Sequence, residues 1–86
     1  MSIEEAILLD TLRCRLDYLR KKKNLTVKEV AEQTSLPLET YLQLEQGKRC
    51  PSAIDLIFIA DFLNVSVDYL IGRSEKTRPR KLNHLI

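Results

Sequence analysis

Apolar residues recur along this chain at steps of three and four, while runs of strict alternation are nearly absent. That period lines one face of a helix, so the chain reads as helical almost throughout. The first stripe is Leu12, Leu16 and Leu19 with Tyr18, and Ile3, Ile7, Leu8 and Leu9 extend the apolar content a further two turns upstream. It predicts a helix from about Ile3 to Lys23. The cluster Arg20, Lys21, Lys22, Lys23 closes it, where cations favour the negative end of the helix dipole. Asn24 suits the left-handed residue that ends a helix.

Thr26 begins a second helix with a capping box, since Glu29 stands three residues on and can return the bond. Val30 and Ala31 face inward, and a residue as small as Ala31 lets two helices approach closely. Thr34-Ser35-Leu36 is the turn, and Pro37 fits the first turn of a third helix, where a missing N–H costs nothing. That helix ends at Gly47. Ser52 with Asp55 starts a fourth helix that runs to about Leu63 and stops at Asn64; Ser66 caps a short fifth, Val67 to Ile71, which Gly72 stops.

Composition agrees with an all-α chain. The hydrophobic fraction is 44% with two Gly and three Pro in 86 residues, enough for one small domain with a modest core. Cys14 and Cys50 lie far apart with no CxxC pair and only His84 for company, so no metal site is readable. Two reduced thiols are expected; Cys50 beside the third helix is either neutral or a redox switch. The first residues, MSIEEAILLD, carry acids where a signal peptide needs bases, and no apolar run reaches membrane-spanning length. A soluble, cytoplasmic protein is expected, with no membrane partner. Residues 1–72 hold nine Lys/Arg against eleven Asp/Glu, a charge of −2, whereas residues 73–86 hold five against one, a charge of +4. The expected organisation is therefore a mildly acidic domain over 1–72, with its helix-turn-helix unit at 26–46, and a basic, flexible tail over 73–86.

Several motifs coincide with one family. LxxLRxxxxLT from Leu16 to Thr26, VAEQ with Ala31 at a packing site, LEQGKRxPS from Leu44 to Ser52 and IADFLNVSVDYLIG from Ile59 to Gly72 resemble the phage-repressor type of helix-turn-helix regulator, the xenobiotic-response-element family. The resemblance covers about Leu12 to Gly72. It implies a five-helix lambda-repressor-like domain, here with an extended first helix, whose third helix enters the DNA major groove. It also implies an ion pair between Arg20 and Glu45.

The family's DNA contacts carry over unevenly. Base contacts fall on Leu38, Glu39, Leu42, Gln43 and Val27, the last standing where Gln is frequent. Gln43 suits adenine, the leucines suit thymine methyls, and Glu39 suits a cytosine amino group. Phosphate contacts fall on Thr26, Thr40, Gln46, Lys48 and Arg49. Ser35 occupies a turn position where glycine is common, at a cost of about 1–2 kcal/mol if left-handed. Pro37 to Gln46 holds two acids and no base.

Two readings of the outward leucines stay open. They read DNA, as in a dimeric repressor acting sterically on double-stranded DNA, or they form an apolar patch for a protein partner, as in an antirepressor or antitoxin-like module. Ile54 and Phe58, apolar where the family is commonly polar, are either a homodimer interface or are covered by the first helix or the tail. Arg78, Arg80 and Lys81 around Pro79 either follow a DNA groove as an arm or simply aid solubility. Catalysis and cofactors find no support: the chain has no glycine-rich phosphate loop and no nucleophile beside a base.

Overall fold

The structure, a computed structural model, describes residues 2–77. Five helices follow in order: α1 Ile3–Lys22, α2 Val27–Gln33, α3 Leu38–Glu45, α4 Ala53–Leu63 and α5 Val67–Leu70, with no strand among the described residues. Leu12, Leu16 and Leu19 from α1 meet Val30 and Ala31, Tyr41 and Leu44, Ile59, Ala60 and Leu63, Val65 and Leu70 in one buried cluster. Each helix thus contributes a single stripe, as the three- and four-residue steps require.

The chain punctuates its helices in a uniform way. Ser2, Thr26, Ser52 and Ser66 accept the first free backbone N–H groups of α1, α2, α4 and α5. Ser2 and Thr26 close full capping boxes with Glu5 and Glu29. The Thr26 amide donates to the Glu29 carboxylate at 2.8 Å, which holds that carboxyl below its ordinary pKa. The Ser52 cap is one-sided, with Asp55 only donating its amide.

At the other ends, Asn24, Ser35, Gly47, Asn64 and Gly72 all have positive φ. The amide after each reaches back to close the helix, as Leu36 does to Ala31 at 3.0 Å and Lys48 to Gln43 at 2.9 Å. Ser35 adopts φ 61 in the turn between α2 and α3. Ser35→Gly is therefore expected to stabilise the fold by about 1 kcal/mol, read as a rise in Tm of about 4–8 °C. An unchanged or lower Tm would show that the serine carries no conformational cost there.

Four expectations need correction. Tyr18 does not join the inward stripe of α1; it is 56% exposed, with the Lys22 ammonium 5.8 Å from its ring centroid. The 3.6-residue pitch explains it, because Leu12, Leu16 and Leu19 leave Tyr18 on the opposite face. Pro37 precedes α3 as its cap residue, with extended ψ 141, rather than sitting in the first turn. The fifth helix is one residue shorter than expected, ending at Leu70.

Finally, the chain does not leave the body at Gly72. Arg15 donates to the Tyr69 and Ser74 carbonyls and to the Glu75 carboxylate, and its guanidinium lies 4.1 Å from the Tyr69 ring centroid. The Ser66 amide donates to the Thr77 carbonyl at 2.8 Å. Residues 73–77 of the expected tail are thus laid along the domain. Arg78, Arg80, Lys81 and His84 lie outside the described residues.

Candidate nucleic-acid interface

The third helix is buried along one side only. Tyr41 and Leu44 enter the core, while Leu38, Glu39 and Gln46 are exposed and Leu42 and Gln43 are half-buried. Glu39, Leu42, Gln43 and Gln46 stand at i, i+3, i+4 and i+7, which places them in one outward row. Leu38, 48% exposed, flanks that row at the start of the helix, where no side chain caps the backbone.

What fixes the direction of this row is an ion pair behind it. Arg20 Nε donates to Glu45 Oε2 at 2.7 Å and an Arg20 terminal nitrogen donates to Oε1 at 3.1 Å. The same guanidinium donates to the Leu25 carbonyl at 2.9 Å and to Asp17 at 3.3 Å. One side chain thereby ties the end of α1, the entry to α2 and the end of α3. The fork geometry suits Arg rather than Lys. Only 14% of the Arg20 side chain and 7% of the Glu45 side chain are exposed, so neither charge has water to fall back on. The Glu45 contact raises the Arg20 pKa, with burial acting against it. Tyr41 lies next to this pair. Burial, then the neighbouring Glu45 carboxylate, push its phenol above the ordinary value, and its hydroxyl has no partner in hydrogen-bonding geometry.

After α3, Gly47 turns the chain outward with φ 72. A side chain there is strained by the positive φ, while the 3.1 Å approach of its Cβ to Arg13 Cδ asks only for a small shift of a flexible side chain. Lys48 and Arg49 follow, both exposed. Arg49 bends back over the helix: its Nε donates to Gln43 Oε1 at 2.7 Å, and Gln43 Nε2 donates to Glu39 Oε1 at 3.2 Å. Three of the predicted contact residues are therefore joined in one chain of hydrogen bonds.

Other predicted residues stand apart from that chain. Val27 is half-buried and packed against the core, so only an edge of its side chain is offered outward. Thr26 is exposed, but its amide is already taken by Glu29 and its oxygen accepts the Glu29 amide, leaving the hydroxyl proton without a partner among the described residues. Thr40 is half-buried on the flank of α3 and Gln46 is exposed beside Gly47. Within the basic run at the end of α1, Arg20 turns inward and Lys21 pairs with Asp17 at 3.1 Å. Ile54 and Phe58 are exposed, and Ile57 joins them on the side of α4 opposite Leu56, Ile59, Ala60 and Leu63. Phe58 also forms one wall of a cleft of about 320 Å³ with Gln33, Thr34, Ser35, Asp61 and Phe62.

Two helices at a tight left-handed turn, the second presenting a polar row and ending in a basic loop, form a helix-turn-helix unit. Residues 16–70 match the Helix-turn-helix family (HTH_3). This chain belongs to that family.

The helix-turn-helix chain is 37% identical over 62 residues to the HTH-type transcriptional regulator AnsR of Bacillus subtilis, covering 72% of this chain and 53% of that protein. It is 37% identical over 59 residues to the cryptic phage CTXphi transcriptional repressor RstR of Vibrio cholerae, covering 69% and 53%. Over 71 residues it is 31% identical to the HTH-type transcriptional regulator ImmR of Bacillus subtilis, covering 83% and 56%. The chain spans about half the length of these curated relatives. No solved structure matches it at a significant level. Among the described residues, no helix is long and apolar enough to cross a membrane, and no group of three or more His, Cys, Asp or Glu could hold a metal ion.

Proposed function

We propose that this helix-turn-helix chain is a sequence-specific double-stranded DNA-binding transcriptional regulator, acting in the cytoplasm as a dimeric repressor without catalysis or cofactor. The observation that carries the reading is the outward row of α3, held at a fixed angle by Tyr41, Leu44 and the Arg20–Glu45 pair behind it. A groove reader needs that rigidity, because a row of side chains that swivels cannot discriminate base edges. The relatives' names, which describe transcriptional regulators and a phage repressor, point the same way.

In this reading α3 lies in the major groove with Leu38 and Leu42 against thymine methyls and Glu39 accepting from a cytosine amino group. Val27 contributes only its exposed edge. Thr26, Thr40, Gln46 and Lys48 hold phosphates along the rim, and Arg78, Arg80 and Lys81 add an electrostatic arm. Repression is steric: occupancy of an operator excludes transcription from the adjacent promoter. The outer face of α4, with Ile54, Ile57 and Phe58, pairs two copies so that their recognition helices meet successive turns of the groove.

Selection from a random double-stranded DNA pool across a salt series tests this directly. Enrichment of a short palindrome at near-physiological salt is the expected result. Binding that vanishes by moderate salt with no enriched sequence would overturn it. That outcome would favour a protein partner on the Leu38/Leu42 face, which the exposed Glu39 and the absence of bases on α3 also suit.

A further inference from the structure

Arg49 follows the turn glycine, where a basic residue ordinarily serves the phosphates. Its side chain does not extend that way. The 2.7 Å bond from Arg49 Nε to Gln43 Oε1 draws the guanidinium over the outward row of α3, and Gln43 Nε2 in turn donates to Glu39 at 3.2 Å. Both ends of the Gln43 amide are thus committed to protein partners, with its orientation fixed by an acceptor on one side and a donor on the other. An amide so engaged keeps one N–H and one lone pair, but can offer them to adenine only in the orientation that its two protein partners set.

What Gln43 gives up, Arg49 gains. With Nε bound, the guanidinium plane is set, and its terminal edge carries two parallel N–H groups. Among the described residues neither terminal nitrogen of Arg49 meets an acceptor. Two parallel donors on a rigid fork match the N7 and O6 acceptors of guanine, the commonest specific contact in the major groove. The Glu39 carboxylate, at the other end of the row, adds negative charge near the amide and so strengthens its hold on the cation.

We propose that Arg49 reads a guanine in each half-site as a specificity-determining residue, and that Gln43 is the positioning residue that aims it. The inference rests on the operator-reading function proposed above. It assigns Glu39, Gln43 and Arg49 to one relay, in which base discrimination at the guanine depends on a side chain that need not touch that base.

Pool selection with the wild-type chain, Arg49→Lys, Arg49→Ala and Gln43→Ala separates the possibilities, with helical content by circular dichroism confirming that each exposed-site variant is folded. The wild type is expected to enrich a motif with an invariant guanine, worth about tenfold to a hundredfold in affinity against the other bases. Arg49→Lys keeps the charge and should keep the salt dependence, yet lose that guanine preference. Gln43→Ala should weaken the same preference without creating or removing one for adenine.

If Arg49→Lys retains the guanine, or Arg49→Ala weakens all sequences equally and lowers the salt slope by about one, Arg49 is a phosphate contact and the inference fails while the operator reading stands. Loss of an adenine preference in Gln43→Ala, with the guanine kept, likewise overturns it. A wild type that enriches no sequence overturns both.

Discussion

Glu45→Ala is expected to destabilise the domain by about 3–5 kcal/mol, because it strands the Arg20 guanidinium in a poorly solvated position. The loss is large against the roughly 5–15 kcal/mol that holds a small domain together. Arg20→Ala should cost a similar amount, leaving the more deeply covered Glu45 carboxylate without its fork. The two losses should not add. Once one partner is gone the other already lacks its interaction, so Arg20→Met with Glu45→Leu should recover a substantial part of the stability lost by either single change.

The same pair also sets the angle of α3. Arg20→Ala should therefore lower specific DNA affinity even at temperatures where the domain remains folded, because Leu25, Asp17 and Glu45 all lose a common anchor. Urea denaturation of the single and double variants gives the energies. Unchanged stability in Glu45→Ala would mean that the pair holds nothing together.

The second large effect concerns assembly. Ile54→Lys with Phe58→Lys is expected to yield a folded monomer that binds a palindromic operator at least a hundredfold more weakly, as roughly the avidity of two linked half-sites predicts. Folding should survive because α4 uses its other face, Leu56, Ile59, Ala60 and Leu63, to meet the core. The substituted residues are 64% and 48% exposed, and neither α1 nor residues 73–77 covers them. Sedimentation together with titration of full and half operators measures both parts. An unchanged oligomeric state would remove this face from consideration as the interface.

How much of this was legible beforehand divides by range along the chain. Thr26 with Glu29, Ser52, Ser66, and the helix-ending residues Asn24, Gly47, Asn64 and Gly72 all work through bonds to neighbours three to five residues away. Such interactions depend on residue type and spacing, which a sequence states outright. The Ser2–Glu5 capping box was equally available on those grounds, as S-x-x-E ahead of an apolar stripe. The Arg20–Glu45 pair spans 25 residues and was reachable only through resemblance to a family.

Tyr18 was placed wrongly although the spacing excluded it, because the pitch that aligns Leu12, Leu16 and Leu19 leaves it off their face. Tyr41 escaped notice for the opposite reason: its burial follows from how α3 is rolled against α1, and roll leaves no trace in spacing alone. The Arg15 clamp on Tyr69, Ser74 and Glu75 reaches mostly backbone carbonyls, which every residue possesses, so no sequence signal could mark it.

The sequence by itself determined the five helices to within a residue or two at their ends, the residues that cap and stop them, and the helix-turn-helix unit. Only the tertiary structure decided which contact residues are available and which are engaged with each other: Val27 packed inward, the Thr26 amide already bound, Gln43 linked to Arg49 and Glu39, and the outer face of α4 left bare among the described residues. The reason is physical. Caps and helix ends are short-range bonds closed within a turn or two of backbone, whereas the availability of a side chain depends on what the rest of the chain places beside it after the core has packed.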